Sequence, residues 1–238
     1  MKKLTTLTVA LLCITTSCAQ KRIKGNGNVV TIERNTSDYD GVSVSGFYEV
    51  ELVDGQEGNL TLKGEDNILD YIETEVKGGT LHIKSINNKT LIPSRGEGVF
   101  ITIPVEEIDK IRLSGSGDFS GDKTLKTDDL DIQISGSRNI DLTIDAIEVS
   151  VMTSDSSNIR LKGDSEEFTV RSSGSSNVRA FDLETQEATF ELSGSSDVET
   201  TVNESITSRV SGSGNVSYRG NPQKVDSKIS GSGRVSKK

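Results

Sequence analysis

Side chains able to do chemistry are few in this chain of 238 residues, and their placement limits what they can do. Cys13 and Cys18 both lie near the start, so the body carries no thiolate and no disulfide. The one histidine is His82, the side chain best suited to general base work near neutral pH. It stands in an alternating run, Leu81-His82-Ile83, with no nucleophile-elbow sequence beside it, which reads as a surface strand histidine. The acid pairs Asp128-Asp129 and Glu166-Glu167 fall in polar connectors, where charge runs are solvated. Neither a catalytic residue nor a cofactor site is expected. One oxygen-rich series remains: Asp118, Asn139, Asn158, Asn177, Asp197 and Asn215. Stacked oxygens can hold calcium, but only Asp118 and Asp197 are charged and they sit on distant copies. A structural role is expected for this series, and no metal.

The series is one column of a longer phrase. Ser114-Gly115-Ser116-Gly117-Asp118-Phe119 returns from Ser135, Ser154, Ser173, Ser193, Ser211 and Ser230, at spacings of 21, 19, 19, 20, 18 and 19 residues. A sustained period of that length marks a stacked repeat. Apolar alternation precedes each copy, as in Leu130-Ile132-Ile134, and a second short apolar run follows, as in Ile140-Leu142-Ile144. Strand, tight corner, strand and polar connector together make one coil of a β-helix. The expected fold is therefore all-β, a right-handed parallel β-helix of about 19-residue coils. A β-sandwich would need hairpin turns of varied chemistry, whereas one turn sequence recurs here at fixed phase.

Each phrase position has a structural reason. Glycine at position two leaves room where a side chain would crowd the neighbouring coil. Asp155, the exception, is a residue type that tolerates left-handed angles. Serines at positions one and three are expected to bond their own backbone or the serine one coil away. The Asp or Asn at position five is expected to form a side-chain ladder along the axis.

Composition bounds the rest. Only 32% of residues are hydrophobic and Trp is absent, which would suit disorder were it not for the repeat. A net charge of -9 disfavours nucleic acid and anionic lipid as partners. Residues 1–18 read as a signal peptide, with a basic start and a short apolar run. Thr15-Thr16-Ser17-Cys18 resembles a lipobox, which makes Cys18 a lipidation site; cleavage after Ala19 is the alternative. Residues 19–238 read as a single domain, less regular over 19–104 and regularly coiled over 105–238. Ile68, Leu69, Ile72 and Val76 at helical spacing predict one helix over 67–77, ended by Gly78-Gly79. Residues 85–98 read as a long loop. Faint copies of the phrase occur at Val44-Ser45-Gly46-Phe47-Tyr48-Glu49-Val50 and at Lys24-Gly25-Asn26-Gly27-Asn28-Val29.

The successive Ile/Leu-Ser-Gly-Ser-Gly/Ser-Asp/Asn-Val phrases resemble the auto-transporter adhesin head GIN domain family, found in exported Bacteroidetes proteins. The opening Tyr39-Asp40-Gly41-Val42-Ser43-Val44-Ser45-Gly46 and the segment from Asp66 to Val76 are similar as well. The resemblance covers about residues 25–236. It implies a β-helical exported domain and brings no catalytic residues. The expected function is a non-enzymatic adhesion or interaction module of the cell envelope, an outer-membrane lipoprotein or a periplasmic or surface protein. A glycan or surface protein is the expected partner, with membrane contact only through a lipid at Cys18. A polysaccharide-active β-helix enzyme and a self-associating structural envelope protein are the alternatives.

Overall fold

The computed structural model describes residues 22–238; the signal peptide expected over 1–18 and the lipidation expected at Cys18 lie outside the described residues. In chain order the first part comprises β1 (Arg22–Lys24), β2 (Val29–Asn35), β3 (Gly41–Phe47), β4 (Glu49–Asp54) and β5 (Asn59–Glu65). A short helix α1 (Asp66–Leu69) follows, then β6 (Ile72–Lys77), β7 (Thr80–Ser85), β8 (Thr90–Ile92) and β9 (Phe100–Val105). The regular part comprises β10 (Lys110–Thr153), β11 (Asn158–Ser172), β12 (Asn177–Gly194), β13 (Asp197–Gly212), β14 (Asn215–Arg219), β15 (Lys224–Gly231) and β16 (Arg234–Lys237).

The regular strands stack in parallel as a β-solenoid of about 5 coils of ~19 residues. Equivalent positions of successive phrases sit directly over one another: Asn139 on Asn158, Asn158 on Asn177, Ser193 on Ser211. Alternation inside each strand sends Ile, Val, Leu and Phe inward, where they form one core cluster from Tyr39 to Val216. Phe168 and Phe190 meet edge to face at 6.0 Å within it.

The corner explains the glycines. A Cβ on Gly136 would stand 2.1 Å from the Gly115 carbonyl oxygen, and Gly136 has φ +131. Space and backbone angle both exclude a side chain there. Asp155 departs from expectation. Among the described residues Asn87 and Asn88 are the only non-glycines with positive φ, so Asp155 keeps an ordinary backbone angle. The strand is interrupted there between Thr153 and Asn158, as it is between Ser172 and Asn177 around Gly174, which also lacks a positive φ.

The N-terminal part continues the same stack. Ser45 and Gly46 pair with Ser114 and Gly115, so the phrase copy at Val44–Val50 lies in phase with one 69 residues further along the chain. Below it, β7 pairs with β3 and β9 with β4, both parallel. Together β7 and β9 make a further coil whose corner is replaced by the expected loop of residues 85–98. That segment contains a 3-10 turn at Ile86–Asn88 and β8, which pairs with β1. Antiparallel strands then cover the coil: β6 lies on β7, β5 on β9, and β2 on β5.

Two expectations need correction. The helix predicted over 67–77 is confined to Asp66–Leu69, and Ile72–Lys77 is strand. Ile72 and Val76 fit alternation as well as helical spacing, and pairing with β7 decides between the two. The Arg34 guanidinium donates to the carbonyls of Leu69 and Ile72, occupying acceptors that a longer helix would have used internally. The copy at Lys24–Val29 is not a coil corner, since β2 runs antiparallel to β5. Its Asn26 and Asn28 side chains donate instead to Asp66.

Gly136→Ala is expected to lower stability by about 2–4 kcal/mol, because it adds both strain and a backbone clash. A urea midpoint unchanged from the parent would contradict the stacking geometry.

Candidate functional site

The phrase has an inner and an outer side, and they do different things. Position four points inward, which composition alone did not reveal. Ser157, Ser176 and Ser196 occupy it in three successive coils and are buried. Ser157 Oγ donates to the Gly136 carbonyl at 2.9 Å, and Ser176 Oγ donates to the Asp155 carbonyl at 2.8 Å. Ser196 Oγ donates to the Gly174 carbonyl at 3.2 Å. The Ser176 and Ser196 hydroxyls also accept from the preceding coil. Ser157 N donates to Ser176 Oγ at 3.3 Å and Ser176 N to Ser196 Oγ at 3.1 Å. Thr153 and Ser172 add hydroxyl contacts to Ser176 and Ser196, at 2.9 and 2.6 Å. These serines hold the corner together, and burial leaves none of them for a ligand.

One coil carries Arg138 at this position, 1% exposed. The guanidinium spans two coils. It donates to Tyr48 O at 2.9 Å, Gly46 O at 2.8 Å and Ser114 O at 3.0 Å. The space comes from Gly117, whose absent Cβ would lie 3.4 Å from Arg138 Nη1. Desolvation pulls the Arg138 pKa down to about 10, opposed by Tyr48 and Asp118. Burial pushes the Tyr48 phenol up to about 12, against the pull of Arg138. Arg138 therefore remains a cation at neutral pH, held by carbonyl dipoles and unavailable to solvent.

Outside the corner, position five forms the expected ladder. Asn139 Nδ2 donates to Asp118 Oδ1 at 2.8 Å, Asn158 to Asn139 at 3.1 Å, and Asn177 to Asn158 at 3.2 Å. Asn215 Nδ2 donates to Asp197 Oδ1 at 2.7 Å. The ladder is broken once. Asn177 and Asp197 are neighbours in register, yet among the described residues no side-chain bond joins them. A carboxylate has no proton to give the Asn177 oxygen.

The outer serines behave otherwise. Ser114 Oγ donates to Ser45 Oγ at 2.7 Å, as expected for position one. Ser135, Ser154, Ser173, Ser193 and Ser211 are exposed, and none has a side-chain hydrogen bond among the described residues. They line an open groove of about 870 Å³ along the coil axis. The wall two residues before them carries Arg112, Gln133, Met152, Arg171, Glu191 and Arg209. Arg171 Nε donates to Glu191 Oε2 at 3.2 Å, while Arg112 Nε reaches Gln133 Oε1 only at 3.4 Å. Sequence periodicity could have found this wall, because each member precedes its serine by two residues.

The remaining candidates do not converge. His82 is half-buried on β7, in register with Ser43 and Glu75. Asp128 and Glu166 lie in a second groove with Asp145, Asp164 and Glu184, where Lys126 Nζ is 3.4 Å from Asp145. No group of three or more metal-ligating side chains is gathered among the described residues. The buried Glu65 is a fastener: Ser94 Oγ donates to it at 2.6 Å, Ser94 N at 2.8 Å, and Gly27 N also donates. Chiefly the Ser94 hydroxyl, with these amides, holds its carboxyl below the usual range, against burial and the neighbouring Asp66.

A family model described as “Putative auto-transporter adhesin, head GIN domain” matches residues 38–222. Among solved structures, the chain is similar to a “putative adhesin” from Bacteroides fragilis, at TM-score 0.78 and 22% identity over 91% of this chain and 100% of that one. It is similar to a “putative lipid binding protein” from Parabacteroides distasonis, at 0.70 and 24% over 92% and 100%. A “putative adhesin” from Parabacteroides merdae gives 0.61 and 17% over 92% and 99%. At these identities the likeness establishes the fold. Comparison with curated proteins gives no match.

Asp197→Asn is expected to complete the ladder and add about 0.5–1 kcal/mol, raising the melting temperature. No rise would mean that the break is not the missing donor. The lowered Glu65 carboxyl stabilises the fold above about pH 4.3, the unfolded value, and that contribution is lost as pH falls through the lower folded value. Glu65→Gln should therefore be less stable than the parent at pH 7, with the gap closing in strong acid. Urea titrations at both pH values check this.

Proposed function

Because the chain belongs to the head GIN domain family, we propose that it is a non-enzymatic adhesion or interaction module of the bacterial cell envelope. The observation that carries this reading is the separation of roles within the phrase. Inner serines are consumed by the fold, while the outer hydroxyls of Ser135, Ser154, Ser173, Ser193 and Ser211 stand unengaged along one groove. A surface of equivalent small polar groups repeated along an axis suits multivalent contact, in which many weak engagements add. It offers no single point at which a reacting atom would be held between a base and an activated nucleophile.

Export by the N-terminal signal peptide, with Cys18 retained as the lipidated first residue, completes the proposal. No helix among the described residues is long and apolar enough to cross a membrane. A lipid on Cys18, with a second signal, would tether the solenoid while leaving its long faces open to partners.

Two measurements test this. Purified protein is expected to bind members of a glycan, matrix-protein or cell-surface array without altering them; silence across all three arrays, or turnover of a glycan, would overturn it. Mass spectrometry of the mature protein is expected to find a lipidated Cys18 as its first residue. An unmodified N-terminus at Gln20 would remove the anchor.

A further inference from the structure

The groove beside the outer serines has a charge unlike that of the rest of the molecule. Its wall is a register column, with Ser43 beside Arg112, Met152 beside Arg171, Arg171 beside Glu191 and Glu191 beside Arg209; the column runs on from Arg209 to Lys228, in a smaller pocket that adjoins the groove. Four of these side chains are cations and one is an acid, in a protein whose net charge is -9. Arg209 and Lys228 have no ion pair or side-chain hydrogen bond among the described residues. Arg171 is only half-engaged, since both it and Glu191 remain about half exposed. Coils rise about 4.8 Å each, which sets Arg171 and Arg209 roughly 10 Å apart and Lys228 one step further.

We propose that this groove binds a linear acidic glycan lying along the solenoid axis, its carboxylate or sulfate groups paired with Arg171, Arg209 and Lys228. The proposal rests on the adhesion reading and names its ligand. Arginine suits the task because its planar donors take an oxyanion in two parallel bonds. The exposed serines along the floor offer hydroxyls at regular intervals for sugar hydroxyls. The arginine stems and Met152, 37% exposed, give the apolar contact that a pyranose face accepts. Single-stranded nucleic acid fits less well. The groove is lined by no aromatic ring on which bases could stack, and the surrounding acidic surface repels a dense phosphate backbone. A glycan with acids spaced along its length meets the cations while presenting less charge to the rest of the molecule.

Calorimetric titration of the purified protein tests this with four probes: polygalacturonate, dextran sulfate, neutral dextran and a single-stranded DNA of similar length. Either acidic glycan should bind, more weakly as salt rises, and the better of the two identifies carboxylate or sulfate as the recognised group. Neutral dextran and DNA should not compete. Arg171→Ser with Arg209→Ser should weaken binding about tenfold or more, whereas Arg179→Ser, outside the groove wall, should leave it unchanged. Glu191→Gln, which frees Arg171 and removes the column's acid, should tighten binding roughly threefold, a gain that misfolding does not produce. Equal binding of DNA, equal loss from Arg179→Ser, or no response to Glu191→Gln would overturn the proposal. Array binding by a neutral glycan or protein without acidic-glycan binding would sink this inference and leave the adhesion reading standing. Groove binding without any cell-surface attachment would do the reverse.

Discussion

The structure depends on how closely one coil's corner lies upon the next. At Gly115, Gly136, Gly194, Gly212 and Gly231 an added Cβ would come within 2.1 to 2.4 Å of a carbonyl oxygen of the preceding coil. No side chain fits at these five positions, so the glycine recurs at the same phase in every copy but the one with Asp155, and the period of the sequence follows from that contact. Fixing the corner also fixes the column beside it. Position four then faces a row of inward carbonyls that need donors, and a serine hydroxyl is small enough to supply one from inside the turn. Position five faces outward and can ladder its amides. From Ser135 to Ser211 the position-one serines carry no side-chain hydrogen bond among the described residues, unlike the Ser45–Ser114 pair below them.

Arg138 is where this economy is strained. A buried cation with no ion pair among the described residues is an expensive substitute for a serine, and desolvation lowers its pKa against the pull of Tyr48 and Asp118. It stands where the regular repeat meets the N-terminal segment, with Gly117 and Tyr48 at the same position in the two coils below. One guanidinium there reaches the carbonyls of Gly46, Tyr48 and Ser114, which no serine could do from that distance. The same junction joins strands far apart in sequence, since Ser45 contacts Ser114 directly. Arg138 acts as a staple between an inserted segment and the coils that follow it.

Much of this was legible in the residues because a β-solenoid writes its geometry at a fixed period. The corner glycines, the ladder from Asp118 to Asn177 and the in-phase copy at Ser45 were all readable from spacing. The extent of α1 was not, because Ile72 and Val76 satisfy two periodicities and only the pairing of β6 with β7 chooses one. The copy at Lys24–Val29 matched in composition but lacks a coil partner, so likeness of letters misled where register was absent. Position four was hidden for a different reason. Gly117, Arg138 and Ser157 share no residue type, and their common feature is the direction in which the backbone points them. The groove wall is periodic, two residues before each serine, but Arg112, Gln133 and Met152 share no chemistry that would single it out before the coils are stacked.

One repeated phrase carries two kinds of serine, an inner set that holds the fold and an outer set that does not. Ser176 and Ser173 belong to the same corner and differ in little but direction. Ser176 donates to Asp155 O and accepts from Ser157 N, while Ser173 has no side-chain hydrogen bond among the described residues. Equilibrium unfolding of Ser176→Ala and Ser173→Ala compares them directly. A loss of about 1–3 kcal/mol is expected for the first and less than about 0.5 kcal/mol for the second. Equal losses, or a larger loss for Ser173→Ala, would contradict this division of roles.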